Sequence, residues 1–291
     1  MTLVMTPLAV GQPHTTHAPL ARHRRYLMCR PSHFDVTYAI NPWMRPGEER
    51  VDPHLAMRQW HHLLAAYTRL GHEVHVIEDA PGLPDMVFAA NAGLVLDGRV
   101  LLARFHHHER TGEEALYRAW FEDNGFAVHQ SERTQEGEGD LLVVGPPGDE
   151  VILAGTGFRT DLAAHAEVAA WAAREVVTLH LVDPSYYHLD TALAPLDDHR
   201  VVWFPGAFSD DSTQQIRRRY PDSIEASADD AAAFGLNACS DGRNVVLAAS
   251  AVETGLAARL EDAGFVPVPV DLGELRKSGG SAKCCTLELR A

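Results

Sequence analysis

The chain has 291 residues, 46% of them apolar and 22% charged, an ordinary globular balance that excludes wholesale disorder and a collagen-like repeat. It contains no run of about 18 apolar residues, so no segment is expected to span a membrane. Lys and Arg number 25 against 40 Asp and Glu, a formal charge of −15. That field repels a phosphate backbone and attracts a small cation, so nucleic acid is not an expected partner.

The first 21 residues, through Ala21, lack a basic start, a long apolar core and a clean cleavage site. Residues 1–24 read as a flexible tail rather than a signal peptide, and 25–291 as a single domain. Of the four cysteines, Cys29 and Cys239 stand alone and Cys284 and Cys285 are adjacent. They form no CxxC pair and no zinc-finger spacing, so free thiols and a cytoplasmic location are expected.

A first strand is expected at Arg25–Cys29. Asp52-Pro53 then opens a helix, with Ala56, Trp60, Leu63, Leu64, Tyr67 and Leu70 as its apolar stripe and Gly71 as its stop. The segment His72–Ile77 follows as a strand. Asp97-Gly98 joins Leu94–Leu96 to Val100–Leu102 as a hairpin, and Gly145–Asp149 joins a second apolar pair. Thr160 starts another helix, with Leu162, Ala166, Ala169, Ala170 and Ala173 on one side, and the strand Val176–Val182 comes after it. Asp197-Asp198 and Asp241-Gly242 make two more hairpins. A third helix is expected over residues 251–264, then a strand at 265–272.

The hairpin centres recur at about 45–50 residues, a spacing that marks repeat architectures. The repeating unit is strand–turn–strand–helix–strand. A fifth unit has to join the last strand, within Cys285–Leu289, to the first, which closes a ring. An open α/β sheet with hairpin insertions fits the same strand and helix content. The glycine cluster Glu136–Asp140 follows no clear strand-to-helix switch and gives no phosphate loop.

Four stretches carry candidate chemistry. In Ser278–Thr286, Gly279 and Gly280 let the backbone pass close to a ligand, and Cys284 stands beside Lys283 at the start of a strand. A neighbouring ammonium lowers a thiol pKa toward the reactive thiolate, while a buried inert thiol is the commonest alternative. In His188-Leu-Asp-Thr, an extended backbone would put His188 and Asp190 on one face, an imidazole with a carboxylate beside it. Glu136-Gly-Glu-Gly-Asp140 is an acidic turn, and the run 84–93 carries Asp85 and Asn91 near its two ends. The triplet His106–His108 looks metal-like, but three successive residues of a regular element cannot all face one ion, so it reads as a loop and no metal site is expected. Together these stretches supply a nucleophile, a base and anions suited to a planar cation.

On these residues the chain resembles the guanidino-group-modifying enzymes of the pentein fold, which include arginine deiminases, dimethylarginine dimethylaminohydrolases, amidinotransferases and arginine dihydrolases. The most specific pieces are Pro84–Gly93, Glu136–Asp140, His188–Thr191 and Gly279–Thr286. The resemblance runs from about Tyr26 to Arg290 and implies a five-bladed α/β propeller. It also implies Cys284 as nucleophile, two residues before Thr286, with Cys285 a structural neighbour and His188 as acid and base. Glu136 is the acid that orients the histidine and Glu138 is its competitor, because the turn is one residue longer than the family's. Asp85 and Asp190 match carboxylates that grip the guanidinium, and Arg110 and Arg159 match arginines that hold a substrate α-carboxylate.

Asn91 stands where the deiminases have an aspartate, and the stretch Tyr38–Met44 with Asn41 resembles the arginine dihydrolases. The expected function is therefore cysteine-dependent hydrolysis of a guanidino group through a covalent thiouronium, with arginine going to ornithine, ammonia and carbon dioxide. The alternatives are dimethylarginine dimethylaminohydrolase, which yields citrulline and dimethylamine, an amidinotransferase, and a non-catalytic binding propeller. The chemistry calls for no cofactor, and the partner is a small cationic guanidino substrate, with a homo-oligomer possible.

Overall fold

The computed structural model describes residues 18–290. β1 (Arg25–Cys29) lies parallel to β2 (Glu73–Ile77), and the helix Pro53–Arg69 crosses between them. Four further blades repeat one plan: β3 (Gly93–Leu96), β4 (Arg99–Leu102) and β5 (Ala127–Gln130); β6 (Leu141–Val144), β7 (Val151–Thr156) and β8 (Glu175–His180); β9 (Leu193–Pro195), β10 (Val201–Trp203) and β11 (Ile224–Glu225); β12 (Cys239–Ser240), β13 (Asn244–Ala248) and β14 (Val266–Val270). In each, the first strand pairs antiparallel with the second, and the second pairs parallel with the third after a helical crossover. β15 (Leu287–Glu288) pairs antiparallel with β1, setting Leu287 opposite Leu27 and Glu288 opposite Tyr26. The end of the chain thus completes the blade begun by its start, and the five-bladed α/β propeller expected from the repeat is the architecture found.

The first strands of neighbouring blades touch one another, β6 with β9, β9 with β12 and β15 with β3, so they form the inner ring. The middle strands are covered on both faces, which is why they read as continuous apolar runs. The β3–β4 turn uses Asp97 and Gly98, both at positive φ (52° and 71°), as a two-residue hairpin turn requires. Asp52 caps the first helix by accepting from Leu55 N at 2.9 Å. That helix buries Ala56, Trp60, Leu63 and Tyr67 and also Gln59, whose Oε1 accepts from Glu274 N at 2.9 Å.

Several expectations need correction. The helix expected to begin at Thr160 runs Ala164–Ala172 instead, and it follows a helix at Glu113–Asp123. Thr160 is buried and donates inward to Asp140, Leu162 is 54% exposed, and Ala173 ends the helix at φ 52°. The helix expected over 251–264 is Leu256–Asp262, with Ala249–Ala251 a separate turn before it. His188 and Asp190 do not share a strand face, because Leu189–Ala192 is a single helical turn with His188 extended just ahead of it. Of the expected tail, residues 18–24 include Arg22, which pairs with Asp198 and donates its backbone N–H to Asp241. Residues 1–17 lie outside the described residues. Among the described residues no helix is long and apolar enough to cross a membrane.

Ring closure predicts where stability resides. Leu287 is fully buried. Its replacement by Ala is expected to cost about 2–5 kcal/mol, against about 1 kcal/mol for Asp52→Ala at the helix cap. Urea unfolding of both variants measures the difference, and equal losses would count against closure as the stabilising element.

Candidate active site

Each blade places the turn just before its inner strand toward a common centre. These turns carry Asp85 and Asn91 before β3, Glu136 before β6, His188 and Asp190 before β9, and Cys284 before β15. Asn41, Asp85, Asn91, Arg110, Arg159 and Cys284 line one narrow cavity together with Ile40, Phe88, Tyr187 and Ser278. Glu136 and Asp190 contact its lining residues Arg159 and Cys284, and the His188 ring lies against that of Tyr187. A larger cavity at Arg24, Cys239 and Arg290 is lined also by Lys283 and by none of this cluster. Its guanidinium groups are paired, Arg24 with Glu288 and Arg290 with Glu138, which leaves it the weaker site for an ionic ligand.

Glu136 sits at the hub of the site. Its Oε2 accepts from His188 Nε2 at 2.7 Å and Arg159 Nη1 at 2.9 Å, and its Oε1 accepts from His106 N at 3.0 Å. Burial alone would raise its pKa, but the Arg159 guanidinium and the bond from His188 outweigh it and hold the carboxyl well below the usual range. An ionised carboxylate only accepts, so Nε2 of His188 carries the proton and Nδ1 is left for chemistry. Glu138 faces the other way, onto Lys283 Nζ at 2.6 Å and onto Arg290. Of the two acids in the turn, Glu136 is the one against the histidine. Gly139 permits this arrangement, since a Cβ there would collide with Asn91 Nδ2 and press on the His188 ring.

Asp140 holds the next turn in place: Oδ1 accepts from Leu189 N at 3.0 Å and Oδ2 from Thr160 Oγ1 at 2.7 Å. The turn aims Asp190 at the thiol, with Cys284 Sγ 3.2 Å from Oδ2. Among the described residues, Asp190 Oδ1 has no hydrogen-bond partner and is buried. Burial pushes the Asp190 pKa up to about 7, against the opposing pull of Lys283. Asp85 is also raised by burial, with Arg110 opposing; Tyr38 (2.9 Å) and Ser278 (2.7 Å) donate to its two oxygens. Tyr38, Ser278 and Asp140 lie in stretches the sequence marks, but their supporting contacts, like that of Thr160, emerge only in the fold.

The lysine expectation fails. The Lys283 ammonium bridges Glu138 and the Thr286 carbonyl rather than Cys284. Burial and the Asp190 charge instead push the Cys284 thiol well above its ordinary pKa. Nor does Cys284 start a strand; it lies in the turn before β15. Cys285 is fully buried among apolar side chains. Arg110 spends its fork on Glu113, with Nε and Nη2 each at 2.8 Å, and its Nη1 donates to Asn91 Oδ1 at 2.6 Å. Arg159 donates to Glu136 and to the Ile40 carbonyl and stacks on Tyr187. Both line the cavity, but neither presents an unused bidentate edge of the kind expected for a carboxylate clamp. Asn41 Nδ2 donates to the Ser278 carbonyl at 3.0 Å. Among the described residues no His, Cys, Asp and Glu cluster suits a metal.

The profile of the eukaryotic N,N dimethylarginine dimethylhydrolase family matches residues 30–291. The chain is 52% identical to an N(G),N(G)-dimethylarginine dimethylaminohydrolase of Mycobacterium tuberculosis, over 92% of this chain and 86% of that one. It is 40% identical to the bifunctional arginine dihydrolase/ornithine cyclodeaminase ArgZ of Synechocystis, over 91% of this chain but 37% of that longer protein. The product-bound N-terminal domain of ArgZ superposes with a TM-score of 0.86 at 39% identity, covering 92% of this chain and 98% of that domain. The chain belongs to the dimethylarginine dimethylaminohydrolase family.

The unpartnered Asp190 oxygen predicts a pH-dependent site. A cation bound there requires the ionised carboxylate, so protonation below about 7 opposes binding. In a Cys284→Ser protein, calorimetry should show the dissociation constant of an alkylguanidinium ion rising about tenfold per pH unit on the acid side of this value and flat on the basic side. A flat profile throughout would remove Asp190 from cation binding.

Proposed function

We propose that this guanidino hydrolase is an arginine dihydrolase that carries L-arginine to ornithine, two ammonia and carbon dioxide. The observation that supports this reading is Asn91. Arg110 fixes its oxygen at 2.6 Å, and its Nδ2 has only a long contact, 3.4 Å, to the Glu136 carbonyl. The cavity wall here therefore offers an N–H donor where a carboxylate would demand a cation. A neutral ureido oxygen accepts from such a donor without stranding a buried charge, a mismatch that costs about 1–3 kcal/mol or more. The ureido product then stays in the cavity for a second attack. ArgZ, an arginine dihydrolase, is the kind of relative this reading fits.

The mechanism follows from the contacts. Asp190 and Asp85 hold the guanidinium beside Cys284. The bound cation favours ionisation of the Cys284 thiol, whose proton leaves to solvent; the thiolate then forms a bond to the guanidinium carbon, and protonated His188 delivers its proton to the leaving nitrogen. The C–N bond breaks and ammonia departs, leaving a thiouronium. His188, now neutral and held by Glu136, takes a proton from water as the water oxygen joins the same carbon. The C–S bond breaks and returns the thiolate and a ureido group. A second round at that carbon releases the second ammonia and leaves a thiocarbamate. Its hydrolysis gives a carbamate that loses carbon dioxide. Arginine plus two waters balances ornithine, two ammonia and carbon dioxide. Four buried free cysteines fit a reducing, intracellular setting for this chemistry.

A second reading, hydrolysis of dimethylarginine to citrulline, has the name of the 52% identical relative in its favour. Mass spectrometry of products separates the two. The expected result is ornithine with two ammonia from arginine, and a shift toward citrulline in Asn91→Asp. Citrulline as sole end product of the unmodified protein at full conversion would sink the dihydrolase and leave the simple hydrolase.

The nucleophile has its own test. Cys284→Ser is expected to abolish turnover and any covalent adduct, whereas Cys285→Ser should keep most activity. Robust turnover by the Cys284→Ser protein would refute the covalent route.

A further inference from the structure

One more polar side chain touches the sulfur of Cys284. Asn237 is fully buried and comes from the turn before β12, the blade that contributes none of the residues described above. Its amide uses all four hydrogen-bonding positions. Nδ2 donates to Cys284 Sγ and to the Asp190 carbonyl, both at 3.0 Å. Oδ1 accepts from Ser281 N at 3.0 Å and from Cys284 N at 3.1 Å. The two backbone N–H groups at Oδ1 fix which end of the amide faces the sulfur, because a flipped amide would set donors against donors.

The sulfur therefore has two polar neighbours of opposite effect. Asp190 Oδ2, at 3.2 Å, accepts and so favours the protonated thiol. Nδ2 of Asn237 can only donate, so it favours the thiolate. A sulfur held by acceptors alone in this buried pocket would resist ionisation, since a buried anion needs a donor. The Asn237 oxygen meanwhile anchors the 281–284 turn, setting where the sulfur stands.

We propose that Asn237 is a further catalytic residue of this reaction, donating a hydrogen bond to the Cys284 thiolate while its oxygen positions the nucleophile turn. The inference rests on Cys284 being the nucleophile. The amide neither gains nor loses a proton, so no bond is made or broken at Asn237. The geometry extends the fivefold logic of the site, with every blade delivering at least one inner-turn group to the centre.

The test reads the sulfur directly. The rate of Cys284 alkylation by iodoacetamide, located by peptide mass spectrometry, is measured against pH in the native protein and in Asn237→Asp and Asn237→Ala. Replacing the donor is expected to move the alkylation midpoint up by about one pH unit or more. It should also lower kcat on arginine by about a hundredfold while KM changes far less. An unmoved midpoint in a folded variant overturns the proposal and reduces Asn237 to a structural staple. Should neither variant fold, the side-chain 15N resonance of Asn237 in the native protein must titrate together with Cys284 alkylation; a resonance that stays put overturns it equally. Failure of the nucleophile assignment looks different, as turnover that survives Cys284→Ser.

Discussion

A carboxylate with no access to water is costly unless every lone pair has a donor, and Glu136 is such a carboxylate. Satisfying it draws a guanidinium from the loop after β7, an imidazole from the turn before β9 and a backbone N–H from the loop after β4. Arg159, once committed there, ties the Ile40 carbonyl over the site. One buried charge thus registers three blades and the segment leading out of β1. Had Glu136 been neutral, neither the histidine nor the arginine would have a reason to sit where it does.

The remaining charges sort into two layers around the inner ring. Toward the cavity stand Asp85 and Asp190, raised by burial and incompletely neutralised. Behind the Cys284 turn stand Glu138, Lys283 and Arg290, paired with one another. Two acids separated by one glycine serve opposite layers because the Gly137–Gly139 turn points them to opposite sides. The front layer is left short of positive charge, which is the electrostatic definition of a site for a cation.

The propeller was legible because its signals are local. Continuous apolar runs flanking Asp-Gly or Asp-Asp dipeptides define hairpins whatever lies elsewhere in the chain, and their even spacing reveals the repeat. The candidate residues were legible as types. What they face was not, since these contacts join positions far apart in the chain. Lys283 illustrates the limit, for adjacency to Cys284 suggested an activated thiol and the folded ammonium turns to Glu138 instead. The turn Leu189–Ala192 failed for another reason, because four residues are too few to show a period. Asn237 has no motif around it, and only its equivalence to Asp85, Glu136 and His188 in the repeat could have marked it.

The closure between β1 and β15 also orders events in time. Tyr26 and Glu288 are partners across almost the whole chain, so this pairing closes the longest loop of the fold and carries the largest loop-closure entropy. While the protein emerges from the ribosome, β1 has β2 beside it but an open edge on its other side, the kind of edge that invites foreign strands. Cys284 leaves the ribosome only three residues ahead of the strand that covers that edge. The stretch of chain that covers the β1 edge is thus the same one that seats Cys284 in the cavity.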